Sequence, residues 1–188
     1  DGRDPTPELL AVRSFLGAAL RASGDLQGAK EHFRYAFCVG TRILGPRHPE
    51  LANDASSLGR TMMDLGDAVG ASRWFEKALS IRGSSLGAHH PDVADDLFQL
   101  ACAHVWLGGL LEAKAMFLRA QRIVRESQGP QAPALVPITR NLAGTLVRLG
   151  DLDTARAEYR LAIEIAQAVH GPSHPEVAEL ARRLSRIT

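Results

Sequence analysis

Apolar positions recur along this chain in two interleaved ladders. In the first, Leu16-Gly17, Leu58-Gly59, Leu100-Ala101 and Leu142-Ala143 are followed four residues on by Leu20, Met62, His104 and Leu146. In the second, Ala29, Ala71, Ala113 and Ala155 lead to Phe33, Phe75, Phe117 and Tyr159, and then to Ala36, Ala78, Ala120 and Ala162. Spacings of i, i+4 and i+7 place each set on one face of a helix. The alanines let neighbouring helices approach closely, and the ring fills the gap between repeats. The pattern predicts nine helices, at 6–23, 26–44, 49–65, 68–86, 91–107, 110–128, 133–149, 152–170 and 175–187. Pro137 falls inside the seventh and either kinks it or delays its start to that residue. The ninth stands where a fifth unit would begin, as a capping helix or as the stump of a longer array.

Between the ladders runs a repeated joint, Gly45-Pro-Arg-His-Pro-Glu-Leu-Ala52, which returns as Gly87-Ala-His-His-Pro-Asp-Val-Ala94 and Gly171-Pro-Ser-His-Pro-Glu-Val-Ala178. A worn copy is Gly129-Pro-Gln-Ala-Pro-Ala-Leu-Val136, so the four glycines stand 42 residues apart. A second landmark stands 21 residues before each of them: Gly24-Asp25, Gly66-Asp67, Gly108-Gly109 and Gly150-Asp151. Glycine supplies the left-handed residue that closes a helix, and the Asp after it caps the next one. In the joint, Pro46 blocks continuation, Pro49 suits a first helical position and Glu50 puts negative charge in the first turn. A strict period of this length marks a repeat array.

Composition narrows the function classes. A net charge of +1 gives no global pull towards nucleic acid or anionic membrane. Arginine outnumbers lysine 19 to 3, which reads as coding bias because the arginines scatter over both helix faces. Arg119, Arg122 and Arg125 form one stripe and Arg182, Arg183 and Arg186 another, but balancing acids and the lack of aromatic platforms argue against nucleic acid. No apolar run reaches the ~20 residues that span a bilayer. Cys38 and Cys102 occupy non-equivalent repeat positions, which argues against a disulfide and fits a reducing, cytoplasmic interior. There is no phosphate-binding Gly-Lys-Ser/Thr, and the recurring His48, His90 and His174 lie a whole repeat apart, too far to share a metal ion. These absences predict a non-catalytic chain without cofactors. The abrupt opening at Asp1-Gly-Arg and the end at Thr188 read as those of a fragment of a larger protein.

The spacing Leu58-Gly59…Met62…Gly66-Asp67…Ala71…Phe75…Ala78, in four registered copies, resembles the tetratricopeptide repeat (TPR) family. The 42-residue unit with its Gly-Pro-x-His-Pro-Glu/Asp joint is similar to the kinesin-light-chain type, which is also common in bacterial multidomain and signalling proteins. The resemblance implies an all-α, right-handed α-α superhelix (a solenoid) of about four helical hairpins plus a C-terminal capping helix. It implies a single array over 1–188, with repeats at 6–45, 46–87, 88–129 and 130–171 and a terminal helix at 172–187. Arrays of the kinesin-light-chain type carry Asn-Asn before the helix A leucine. Here the pairs are Ser14-Phe15, Ser56-Ser57, Phe98-Gln99 and Arg140-Asn141, so only Asn141 keeps the pattern.

In the family the inner wall of the A helices binds ligand. Carried over by register, that wall contains Ala11, Ser14, Ala18, Arg21 and Ala22, then Asn53, Ser56, Arg60, Met63 and Asp64. It continues with Asp95, Phe98, Cys102, Val105 and Trp106, then Pro137, Arg140, Gly144, Val147 and Arg148, and ends with Glu179, Arg182 and Arg186. The residues assigned to partner binding are Arg60, Asp64, Asp95, Phe98, Gln99, Cys102, Trp106, Arg140, Asn141, Arg148, Arg182 and Arg186. An exposed Trp beside guanidinium groups has the composition of a hot spot, and converging arginines suit a carboxylate or an acidic peptide segment. The competing account makes the last arginines a solvated cap and packs Trp106 against the next helix. The expected function is recognition of a protein or peptide in the groove. The alternatives are a sensor segment of a larger signalling ATPase or enzyme, and a self-association module.

Overall fold

The structure, a computed structural model, describes residues 6–187; Asp1-Gly-Arg and Thr188, on which the fragment reading draws, lie outside the described residues. Among the described residues it contains nine helices and no strand. They are α1 (Pro7–Ser23), α2 (Leu26–Ile43), α3 (Pro49–Asp64), α4 (Ala68–Ser85), α5 (Pro91–Leu107), α6 (Leu110–Gln128), α7 (Leu135–Leu149), α8 (Leu152–His170) and α9 (Pro175–Ser185). Every end falls within two residues of the position read from the sequence.

The ends are where they are for chemical reasons. The positive-φ glycines among the described residues are the eight landmarks, Gly24, Gly45, Gly66, Gly87, Gly108, Gly129, Gly150 and Gly171, with φ from 80° to 94°. A side chain there would be strained, so the chain turns after each of α1–α8 at low cost. Asp25, Asp67 and Asp151 accept from the backbone N–H of Gly28, Gly70 and Thr154 at 2.9, 2.7 and 3.3 Å. The joint histidines cap in the same way, because Nδ1 of His48, His90 and His174 accepts from the N–H of Glu50, Asp92 and Glu176 at 3.4, 3.2 and 3.3 Å. The worn joint lacks such a cap: Ala134 precedes α7 with no side-chain hydrogen bond. Pro137 does not delay that helix, which begins at Leu135. Proline in the first turn removes an N–H that has no intrahelical partner anyway.

The chain divides into two compact units, one ending at Ala103 and the other beginning at His104. In the first, Phe33 packs with Ala29 and Leu58, and Phe37 with Leu51, Ala52, Ala55, Ala78 and Ile81. Trp74 meets Phe37 edge-to-face at 5.0 Å. A Cβ on Gly59 would stand 2.6 Å from the Phe75 ring, so the Leu-Gly step exists to admit that ring. In the second unit, Leu142, Leu146, Ile165 and Leu180 are fully buried. The second ladder is buried at all twelve positions. In the first, Leu58, Leu100 and Leu142 are at most 2% exposed, whereas Leu16 is 43% exposed; four residues on, Leu146 is buried and Leu20, Met62 and His104 are half-buried. Leu58 is covered by the preceding hairpin's Ala29 and Phe33, and no described helix precedes α1 to cover Leu16.

One ionic clamp lies inside the first unit. The Arg82 guanidinium, 8% exposed, donates to Asp96 Oδ1 at 2.5 Å and to Asn53 Oδ1 at 2.7 Å, with Asp92 at 3.8 Å. Burial pushes the Asp96 carboxyl up to about 6, against the pull of Arg82 and a smaller one from Ser56. Neither Ser56 Oγ nor Asp96 Oδ2 completes a hydrogen bond of good geometry. Removing one member of such a pair strands a buried charge. Arg82→Met is therefore expected to lower stability by about 3–5 kcal/mol in urea titration at pH 7.5, and Arg82→Met with Asp96→Leu to restore most of that loss.

Candidate functional site

The residues assigned to partner binding fall in both units. In the first, Arg60 on α3 faces Asp95 on α5 at 3.9 Å, and Gln99 donates to the same Asp95 at 3.4 Å. Asp64, at the end of α3, takes Arg21 of α1 at 2.7 Å. Phe98 and Cys102 are half-buried on α5. The structure thus brings Arg60, Asp95 and Gln99 into one polar string, and commits Asp64 to α1. Ser56, read as part of the wall, is fully buried beside Asp96 instead.

In the second unit Trp106 is 78% exposed. Arg148 donates to the carbonyl of Val105, next to it in sequence, at 3.1 Å. Asn141 turns back along its own helix to the carbonyl of Pro137 at 2.8 Å. Arg140 pairs with Glu176 at 3.3 Å and Arg182 with Glu179 at 2.8 Å. Arg186 is exposed at the end of α9. Two of the arginines assigned to an acidic partner therefore already have carboxylates of this chain beside them.

The first unit also carries a concavity on the face shared by α1 and α3. It is a groove of about 560 Å³ whose apolar walls include Ala11, Phe15, Ala18, Phe33 and Leu51. Its polar lining is Glu8, Ser14, Glu50, Asn53, Asp54 and Ser57. Phe15 is 77% exposed, an unusually wet ring for a helix that packs on two others. Ser14 Oγ donates to Asp54 Oδ1 at 2.6 Å across the two helices. Asp54 is 7% exposed, and burial pushes its carboxyl up to about 6, with Ser14 opposing and the charge of Glu50 adding.

Ala11, Ser14, Ala18 and Asn53 belong to the wall read from register; Asp54, Glu50 and Phe15 do not. A signal for them exists in the sequence: Asp54 and Asp96 hold the same register position, 42 residues apart, inside otherwise apolar columns. A carboxylate recurring at a core position has a reason to be there.

A model of the tetratricopeptide repeat family matches residues 8–82 and 135–188. Among solved structures the chain is similar to BtubC (BKLC) from P. vanneervenii, with a TM-score of 0.83 at 21% identity, over 96% of this chain and 72% of that one. It is also similar to the nearly identical TPR-like repeats of a Podosopora anserina protein assigned as a kinesin light chain. A single-substitution form of those repeats gives a TM-score of 0.84 at 20% identity over 98% and 87% of the two chains. A second structure of the repeats gives 0.82 at 21% over 97% and 86%. At such identities the likeness shows the fold alone: an all-α solenoid of helical hairpins. No curated protein matches.

The groove carboxyl makes a stability prediction. The folded-state value of Asp54, about 6, lies above the ordinary 3.8, so the fold favours the protonated form. That contribution is complete below about pH 4 and is lost as pH rises through 6. Asp54→Asn keeps an acceptor for Ser14 and never ionises. It is expected to be more stable than the parent by on the order of 1 kcal/mol, a few degrees in Tm, at pH 7.5. The gap should close near pH 4, as read by thermal unfolding across pH.

Proposed function

Since the chain belongs to the tetratricopeptide repeat family, whose repeats mediate protein–protein interactions, we propose that it is a non-catalytic scaffold that holds a peptide segment of a partner protein against its A helices. The observation that carries this reading is the groove between α1 and α3. Four of its lining residues, Ala11, Ser14, Ala18 and Asn53, are helix A positions that the repeat register turns to one wall. Its volume of about 560 Å³ suits two or three side chains of an extended or helical peptide. The exposed Phe15 ring offers an apolar anchor of the kind that dominates interface energies.

A second reading rests on the second unit. Trp106 is wet, and Arg148 donates to the carbonyl of Val105, the residue before Trp106, with its other donors unused among the described residues. A ring and a guanidinium so placed suit an apolar residue followed by a carboxylate, the acidic segment expected from the sequence.

The two are separable by substitution. Peptides selected from a random phage-displayed library on the full chain serve as probes, with affinities measured by fluorescence anisotropy. Ala18→Trp fills the groove and is expected to weaken binding more than roughly tenfold, while Glu76→Ala on the exposed face of α4 leaves it unchanged. If Trp106→Ala weakens binding and Ala18→Trp does not, the second reading replaces the first. Peptides indifferent to both would remove the groove account.

A further inference from the structure

The Arg82 clamp has an incomplete copy one period upstream. Forty-two residues before Arg82, Asp92 and Asp96 stand Gly40, Glu50 and Asp54, and before Asn53 and Ser56 stand Ala11 and Ser14. Both carboxylates and the serine are kept; the cation is gone. The copy cannot be completed from α2, because a Cβ on the buried Gly40 would stand 2.7 Å from Leu51 Cδ2. Asp54 accepts Ser14 on Oδ1, and among the described residues its Oδ2 has no hydrogen-bond partner and neither it nor Glu50 has an ion-pair partner. Holding a carboxylate at 7% exposure without a cation costs stability, and the next repeat shows the alternative the same positions can adopt.

Asp54 is not sealed off from the groove. Asp54, Glu50 and Ser14 all line the groove, beside the apolar surface of Ala11 and Phe15. A long side chain with an apolar stem and a planar, bidentate cation matches both parts of that lining.

We propose that the α1–α3 groove recognises its partner peptide through an arginine, whose guanidinium lies between Asp54 and Glu50 as Arg82 lies between Asp96 and Asp92, with its methylenes along Ala11 and Phe15. The proposal rests on the groove being the peptide site, and specifies what the peptide must carry. It differs from the acidic segment expected at Trp106 and Arg148, which lie in the other unit.

The test uses the full chain and the same random phage-displayed peptide library. Peptides selected on the parent are expected to share a basic residue at one position, arginine leading. Replacing that arginine by citrulline, its neutral isostere, should weaken binding to the parent at least roughly tenfold, and binding to the Glu50→Gln/Asp54→Asn variant less than about twofold. Circular dichroism and thermal unfolding establish that the variant is folded. Peptides that Ala18→Trp blocks but that are indifferent to citrulline would overturn the arginine and leave the groove standing. An equal citrulline penalty on parent and variant would place the arginine elsewhere and likewise overturn it. Failure to select any peptide, or selection only of peptides that Ala18→Trp does not block, would overturn both readings.

Discussion

A glycine in left-handed backbone ends each of α1–α8, and everything else in the chain takes its register from those turns. Because they fall 21 residues apart, equivalent side chains recur at the same place in successive helices. Within each unit the same rows of side chains therefore meet. That is what allows Ala29, Ala71, Ala113 and Ala155 to be buried alike, and what lets Phe75 lie where Gly59 leaves room for it. The capping Asp and His residues fix the entry of α2, α3, α4, α5, α8 and α9, as the glycines fix the exits of α1–α8. Where a cap is lost, at Ala134, the helix still forms, because Leu135, Val136 and Ile138 are buried regardless.

A strict register also makes each repeat a control for the others. In one hairpin joint of the first unit, a buried arginine is clamped by Asp96, Asn53 and Asp92. In the joint before it the acids persist without the arginine, and the space beside them opens into a groove. Buried ion pairs are poor sources of net stability, whereas a buried lone carboxylate is a liability. A scaffold keeps such a liability at a site where a ligand can relieve it. At Asp54 the cost to the fold and the proposed capacity to bind are one and the same feature.

Much of the fold was legible because its signals are periodic: helix ends in Gly-Asp and Gly-Pro, and core positions in an i, i+4, i+7 ladder repeated four times. The departures have local causes. Leu16 reads as core by register, yet its column is buried only where a preceding helix B covers it. The site was less legible. Side-chain type alone draws attention to Arg140 and Arg182, and only the fold shows Glu176 and Glu179 beside them. Ser56 has the register of a wall residue but is drawn in beside Asp96. Asp54 is easily passed over, because one polar residue in an apolar column looks like noise. Its meaning appears when Asp96, Arg82 and Gly40 are aligned with it across one period. That comparison needs the distances as well as the spacing.

The acidic socket stands or falls on the state of one carboxyl. Carbon-13 NMR of the Asp54 side-chain carboxyl, titrated in the free full chain, reads that state without reference to any partner. Burial without a cation predicts a midpoint near 6. A midpoint at or below the ordinary 3.8 would mean that the carboxyl is solvated or already paired, and would contradict the reading of the groove as an acidic socket awaiting a charge.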